Sequence, residues 1–326
     1  MRPAFSVILL TTLIGAAQGL FLALFTVQTY ALVGLLPPAA TGAFYPGGSV
    51  LALLLLAAGL VASFFHLGRP ERAWRAAAQW RTSWLSREVI VLPAFMALVA
   101  LYGALHAAGW TQPLFVLPSG LGIDATVLVG VAATVAAFAL FVCTGMIYAC
   151  LPFLAEWHTP LTPLNYTLMG GASGFTLAAA GAAQVAPGLV GVLAGWAIVL
   201  TLAAAVGRLA SLWRNARLKP KSTIQTAIGV KHPQVVQRSK GFMGPSFNTR
   251  EFFHGASERW LRTVKPAFLL LAFVVPLGLL LQGREEASPA VLALAFAVQY
   301  VGLLAERWFF FAQARHPQNL YYAAVA

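Results

Sequence analysis

Residues 3–68 decide the fold of this chain, and they read PAFSVILLTTLIGAAQGLFLALFTVQTYALVGLLPPAATGAFYPGGSVLALLLLAAGLVASFFHLG. No Lys, Arg, Asp or Glu occurs in this stretch. A helix needs about 20 apolar residues, each rising about 1.5 Å, to cross a hydrocarbon core of about 30 Å. Two short segments rich in Pro and Gly, 37–38 and 45–48, interrupt the stretch. It therefore predicts two membrane spans, near 5–34 and 49–67.

The remainder of the 326-residue chain repeats the same apolar unit. The chain is 60% hydrophobic and 9% charged, with a mean hydropathy of +0.78; a soluble domain carries about 25% charged residues. Helices are the expected spanning elements, because backbone polar groups in lipid must be bonded within the segment. We predict an all-α polytopic membrane protein, a single domain over 1–326 with eight transmembrane helices, near 5–34, 49–67, 87–108, 125–151, 164–184, 189–212, 264–282 and 288–311.

Basic residues divide unequally between the two sides of this predicted bundle. Eight spans place both termini on one side, where 20 of the 21 Lys and Arg residues also fall; Arg284 lies on the other side. We name this side the basic face; it carries both termini and the connections 68–87, 152–163 and 213–263. The positive-inside rule predicts that this face is cytoplasmic, although 152–163 contains no Lys or Arg.

The densest group of polar side chains lies where the second span ends and the third begins. We predict a quinone site or proton relay there, because quinone carbonyls need hydrogen-bond donors and the redox step needs protons. Ionisable groups at the membrane edge are costly unless they are paired or hydrated. The alternative is that the arginines only anchor the positive side. The candidate residues are His66, Arg69, Arg72, Ser83, Trp84, Arg87 and Glu88. Between them, residues 73–81 predict a short interfacial helix.

The histidines and cysteines of the sequence predict neither a haem site nor a metal site. The six histidines provide no pair expected at similar depth on facing helices, so no haem is expected in this chain. Cys143 and Cys150 stand seven residues apart in one apolar run and build neither a disulfide framework nor a cysteine metal site. No metal ligand and no catalytic residue is assigned to the chain.

The long polar connection 213–263 predicts a docking surface for a peripheral protein subunit. Its basic residues alternate with phenylalanines, so it is too polar to insert and too apolar to be only a solvated linker. Binding of anionic membrane lipid is the alternative, and nucleic acid is not expected to be a partner. The candidate docking residues are Arg214, Arg217, Lys219, Lys221, Arg250 and His254.

Two further features bear on packing and on proton transfer. Small residues recur at every fourth position of the fifth span and predict close helix packing; they are Gly170, Gly174, Ala178 and Ala182. Near the end of the last span, Glu306 either contributes to a proton path or pairs with Arg307. The sequence leaves these two roles open.

Three motifs in order resemble one family. They are HLGRP at 66–70, TSWLSRE at 82–88, and ERWFFFA at 306–312 followed by NLYY at 319–322. Together they resemble the membrane anchor subunit of dimethyl-sulfoxide-reductase-type molybdoenzymes, over essentially the whole chain. The resemblance implies a bacterial inner-membrane complex with a molybdopterin catalytic subunit and an iron–sulfur subunit that carries four [4Fe–4S] clusters. It also implies that the haem-free anchor exchanges electrons with quinone, and that His66, Arg69 and Glu88 match positions of the quinol site.

The side on which the partners would dock separates the branches of this family. The best-known members carry their catalytic subunits outside the cytoplasm, whereas the charges here place the basic face inside. This is similar to the sulfite-oxidising branch, so we expect electrons to pass from cytoplasmic sulfite to ubiquinone or menaquinone. The alternative is the anchor of a dimethyl sulfoxide or other S- or N-oxide reductase that oxidises menaquinol. A transporter or a purely structural scaffold is the alternative of another class, disfavoured because the ionisable groups gather at one interface.

Overall fold

The computed structural model describes residues 4–36, 42–219, 223–232 and 258–314, and it is a helical bundle. A hairpin of two very short strands, β1 (Phe115–Val116) and β2 (Gly122–Ile123), lies in the connection after α3. The helices are α1 (Phe5–Leu32), α2 (Phe44–Phe64), α3 (Trp84–Ala107), α4 (Ala125–Ala149), α5 (Leu161–Val185), α6 (Val190–Asn215), α7 (Ile224–Ile228), α8 (Glu258–Leu269), α9 (Val275–Glu286) and α10 (Pro289–Ala312).

Seven helical segments in the described part of the chain are long and apolar enough to cross a membrane. The seventh predicted span is continuous from α8 through a π-helical turn, Leu270–Val274, into α9. Helix α5 is not among these seven. It has 25 residues, which is long enough to cross a membrane, but it is less apolar than the other long helices. It packs against α1, α4, α6 and α10, so its small and polar residues face other helices rather than lipid. The prediction of a polytopic helical membrane protein is confirmed.

Helix ends differ from the predicted span ends where proline and glycine were read as breaks. Helix α2 begins at Phe44 and includes Pro46, because a proline in the first turn lacks an N–H that would have no partner there. Helix α9 continues through Gly283 and ends at Glu286, where Ala287 adopts a left-handed conformation. The residues expected to connect the last two spans therefore belong mostly to a helix.

Helices α1 and α5 make the closest backbone approach at glycines. A Cβ added at Gly174 would lie 2.1 Å from the backbone of Gly19 and Leu20, and one added at Gly19 would lie 2.1 Å from the carbonyl oxygen of Gly170. Two helices can approach this closely only where side chains are absent. The predicted packing role of the small residues on the fifth span is confirmed.

Consecutive helices from α1 to α6 pack side by side, as do α9 and α10, so neighbouring helices run antiparallel. The start of α3 and α5 and the end of α2, α4, α6 and α10 therefore lie toward one end of the bundle, the end that the sequence predicts to be the basic face. A 3₁₀ helix, Pro70–Gln79, connects α2 and α3 at this face. It exposes Trp74 and is followed by the exposed Trp80, as expected of a segment at the membrane interface. The predicted short helix is confirmed, with its start at Pro70.

Candidate functional site

The predicted site divides into an exposed part and a buried part. His66 follows the end of α2 and Arg69 precedes the 3₁₀ helix, and both are exposed. Arg72 lies in the first turn of that helix, 3.9 Å from Glu71, and both side chains are largely exposed. Partial desolvation lowers the pKa of His66, so the imidazole is more readily neutral at physiological pH. These three residues are available at the surface of the basic face.

Arg87 fixes the start of α3 against the preceding segment. Its Nε donates to the Trp80 carbonyl at 2.9 Å and its Nη2 to the Arg81 carbonyl at 2.8 Å, while the guanidinium lies 4.2 Å from the centroid of the Trp84 ring. Ser83 caps α3 by accepting a hydrogen bond from the Ser86 amide. Arg87, Trp84 and Ser83 are thus brought together and order this corner of the basic face.

Glu88 points away from that surface and into the bundle. It lies one turn into α3, and the residue is 8% exposed. Thr144 on α4 donates a hydrogen bond from its hydroxyl to Glu88 Oε1 at 2.5 Å. The helical spacing that gives Trp84 and Glu88 a shared face therefore places the indole at the rim and the carboxyl group inside.

A second buried carboxyl group lies between two arginines near the same end of the bundle. The Arg208 Nε on α6 is 2.7 Å from Glu306 Oε1, and the Arg307 Nη1 is 3.4 Å from Glu306 Oε2. All three side chains are buried. We name Arg208, Glu306 and Arg307 the buried triad. Glu306 pairs with Arg307, which is one of the two roles that the sequence left open, and it pairs more closely with Arg208.

Aromatic side chains connect the buried triad with the surroundings of Glu88. The Arg307 guanidinium lies 3.5 Å from the centroid of the Tyr166 ring on α5. Tyr166 stacks on Tyr148 of α4, with ring centroids 5.7 Å apart. Tyr166 also lines a cavity together with Thr144, the hydrogen-bond donor to Glu88. Helices α3, α4, α5, α6 and α10 thus contribute to one polar region inside the bundle.

Two small cavities lie in this polar region. The first, of about 10 Å³, is lined by Glu156, Thr162, Asn165, Tyr166, Arg208, Ser211, Glu306, Arg307 and Phe310. The second, of about 20 Å³, is lined by Thr11, Thr12, Gly15, Gln18, Phe141, Thr144, Tyr166, Met169, Gly170, Ser173, Leu303 and Arg307. Each volume corresponds to about one water molecule, and the linings offer the polar partners that a buried water needs. Tyr166 and Arg307 line both cavities.

Comparison with known proteins identifies the family of this chain. A family model described as the DMSO reductase anchor subunit (DmsC) matches residues 2–313. The chain belongs to the DMSO reductase anchor subunit family. It is also similar to a subunit of the sulfite dehydrogenase of Allochromatium vinosum, with 59% identity over 326 residues that cover all of both chains. This similarity fits the sulfite-oxidising branch that the sequence motifs and charges indicated.

The predicted docking residues of this anchor-family chain are partly described by the structure. Arg214 donates from Nη1 to the Ala155 carbonyl at 3.0 Å, so it holds the connection between α4 and α5 in place. Arg217 lies over the Trp213 ring, and Lys219 is exposed. Lys221, Arg250 and His254 lie outside the described residues. In space, Arg214 supplies the positive charge that the connection 152–163 lacks in sequence.

Sequence reasoning did not single out Thr144, Tyr166 or Arg208 as functional candidates. Arg208 carried a usable signal, because a charged residue inside a predicted span is a functional candidate by default. Thr144 and Tyr166 carried none, since hydroxyl groups in apolar helices commonly bond to their own backbone, as Thr134 does to the Gly130 carbonyl. Their relation to Glu88 and the buried triad depends on which helices are neighbours.

Proposed function

We propose that this chain is the membrane anchor of a three-subunit molybdoenzyme complex that passes electrons from cytoplasmic sulfite to quinone in the bilayer. A molybdopterin catalytic subunit oxidises sulfite, an iron–sulfur subunit with [4Fe–4S] clusters carries the electrons, and the anchor binds quinone. Membership of the anchor family and the similarity to a protein named as part of a sulfite dehydrogenase support this proposal.

One observation supports quinone chemistry above the others, and it is the burial of Glu88. A carboxyl group inside a membrane helix is costly, so its presence calls for a function. Reduction of a quinone takes up two protons together with two electrons, and a positioned carboxyl group delivers protons efficiently. Glu88 lies one turn after Trp84 and directly after Arg87 on α3, and in this proposal the quinone head group binds beside it.

The metal cofactors are assigned to the partner subunits. A [4Fe–4S] cluster takes about four cysteine thiolates, whereas this chain has two cysteines in all, and both are free. Cys143 is buried and Cys150 is exposed at the end of α4, so they do not form a ligand set. The nearest cluster would then dock against the basic face, where the arginines at 69–87 and the segment beyond α6 present positive charge.

The proposed orientation places all eight spans in the bacterial inner membrane with both termini in the cytoplasm. Helix α5 counts as the eighth span because its 25 residues, at about 1.5 Å each, are long enough to cross the bilayer. The helices packed around it shield its small and polar residues from lipid. The concentration of Lys and Arg on one side supports the cytoplasmic location of the basic face. Membrane lipid is the remaining partner, and its anionic headgroups suit the same surface.

The experiment that tests the proposal compares Glu88→Gln with Glu71→Gln in the purified complex. Glu71 is an exposed acid on the same face and serves as the matched control. Sulfite oxidation is measured once with quinone and once with a water-soluble electron acceptor that bypasses the anchor. We expect Glu88→Gln to lower quinone-linked turnover by about 100-fold, without loss of assembly or of turnover with the soluble acceptor. Full quinone-linked activity in Glu88→Gln would remove this site from the proposal.

The S-oxide reductase alternative is supported by the description of the family itself. In that case electrons run from quinol through the anchor to dimethyl sulfoxide or a related S- or N-oxide. The same purified complex distinguishes the two, by sulfite with quinone in one assay and dimethyl sulfoxide with a quinol in the other. Turnover only in the second assay would favour the S-oxide reductase function over sulfite oxidation. A wild-type chain that purifies without molybdenum and iron partners would overturn both proposed functions.

A further inference from the structure

We infer that a proton route runs from the basic face to Glu88 through the two cavities, with Tyr166 and Thr144 as its hydroxyl relays. The inference rests on the proposed function, because the route supplies the protons that quinone reduction consumes. It extends that function to residues on α4, α5 and the connection between them.

The inner end of the route is the hydrogen bond between Thr144 and Glu88. A threonine hydroxyl donates one hydrogen bond and can accept two. Thr144 uses its donor on Glu88 at 2.5 Å, and the same residue lines the second cavity. A water in that cavity can therefore donate to Thr144 while Thr144 donates to Glu88. This polarity is the one required to move a proton toward the carboxyl group.

The middle of the route is Tyr166, which lines both cavities. Its hydroxyl can accept a proton from one side while it gives its own to the other. Arg307 also lines both cavities, but a guanidinium stays protonated in proteins and does not pass protons on. Its place 3.5 Å from the centroid of the Tyr166 ring, with Glu306 3.4 Å away, makes it the group that positions the tyrosine.

The outer end of the route is Glu156, which lines the first cavity and is partly exposed. It lies in the connection between α4 and α5. Asn215 donates to the Glu156 carbonyl at 3.4 Å, and Arg214 donates to the neighbouring Ala155 carbonyl at 3.0 Å. The end of α6 thus fixes the entrance of the route beside the surface proposed for subunit docking.

The charged residues that are buried among the described residues, the buried triad and Glu88, carry no net charge when Glu88 is ionised. The buried triad carries two positive charges and one negative charge, so one positive charge is left over. An ionised Glu88 offsets it, and protonation of Glu88 restores the excess. Buried charge without a partner is costly, which drives the proton onward to the quinone. Two further titratable groups lie near the route on α4: Cys143, which precedes Thr144, and Tyr148, which stacks on Tyr166.

The proton transfer balances in atoms and electrons. One quinone takes two electrons from the iron–sulfur subunit and two protons from the route, and it leaves as quinol. For each proton, Glu156 gives one to the water of the first cavity, and Tyr166 accepts one from that water and releases its own to the water of the second cavity. Thr144 accepts a proton from that second water and gives its own to the ionised Glu88, and Glu88 then passes its proton to the quinone. Glu156 then regains a proton from hydronium or protonated buffer in the solution outside, and every relay group returns to its starting state.

The test compares Tyr166→Phe with Tyr148→Phe in the assembled complex. Both substitutions delete one hydroxyl from the same aromatic cluster, but Tyr148 does not line either of the two cavities. We expect Tyr166→Phe to lower sulfite–quinone turnover about tenfold and to change its solvent deuterium isotope effect. Binding of a quinone-analogue inhibitor and turnover with the water-soluble acceptor should stay at wild-type values. Tyr148→Phe should keep most of its quinone-linked turnover and a wild-type isotope effect, because Tyr148 neighbours Tyr166 without lining either cavity. Acetic acid, as a small proton carrier, should partly restore the rate of Tyr166→Phe.

A second variant at the surface, Glu156→Gln, keeps the inference testable if Tyr166→Phe assembles poorly. It should also lower quinone-linked turnover, with a larger loss as pH rises and protons become scarce. Wild-type turnover with an unchanged isotope effect in both variants would overturn the route and leave the Glu88 site standing. Loss of inhibitor binding in Tyr166→Phe would also overturn it, because Tyr166 would then belong to the quinone site. Absence of quinone-linked turnover in the wild-type complex would instead overturn the proposed function itself.

Discussion

The close packing of α1 against α5 supports a sharp prediction for Gly174→Ala. The added methyl group would lie 2.1 Å from the backbone of Gly19 and Leu20, whereas an ordinary contact begins at 3.4 Å. The two helices must therefore separate by about 1.3 Å at this point. The obstructing atoms are backbone, so no side-chain rotation can relieve the clash.

Gly181→Ala on the same helix is the matched control. A methyl group there meets no heavy atom within 4 Å among the described residues. Overpacking costs about 1–3 kcal/mol or more, so Gly174→Ala should lower the free energy of unfolding by at least about 2 kcal/mol. Gly181→Ala should be neutral or stabilise the helix by about 0.5–1 kcal/mol, because alanine loses less backbone entropy than glycine.

The assay is denaturation of the purified chain in mixed micelles, followed by its helical circular dichroism. Separation of α1 from α5 should also widen the second cavity, which Gly15 and Gly170 line. Equal stability of Gly174→Ala and Gly181→Ala would refute the reasoning, because it would mean that the two helices are not in backbone contact at Gly19.

Two further substitutions test how much individual charged side chains stabilise the structure. In the same denaturation assay, Glu306→Ala should lower the free energy of unfolding by about 3–5 kcal/mol, because it leaves Arg208 buried without its carboxylate. The control, Glu286→Ala at an exposed helix end, should change it little. Arg87→Ala removes two hydrogen bonds to backbone carbonyls and should increase the rate of proteolysis in the 3₁₀ helix several-fold. Arg72→Ala removes only a 3.9 Å surface pair and should leave that rate unchanged. Equal cleavage of the two variants would contradict the role given to Arg87.

Much of the fold followed from the sequence because membrane spans are local. A run of about 20 apolar residues becomes a helix wherever it inserts, so each span was placed near its helix without knowledge of its neighbours. The small residues that include Gly170 and Gly174 also indicated a packing surface by spacing alone. Helix ends were less certain, since Pro46 and Gly283 are compatible with the helices that contain them.

The residues proposed for the site were only partly within reach of sequence reasoning. The sequence identified Glu88 because an acid inside an apolar segment is unusual wherever that segment packs. Which way its carboxyl group points was decided by α4, whose Thr144 lies far away along the chain.

The sequence by itself determined the class of this protein, its helices and the charge asymmetry, because hydropathy and charge act on each segment separately. Only the tertiary structure decided that Arg208 pairs with Glu306 and that Tyr166 lies beneath Arg307. Those contacts join α5, α6 and α10, and they exist because buried charges in a membrane bundle must find partners on whichever helices pack beside them.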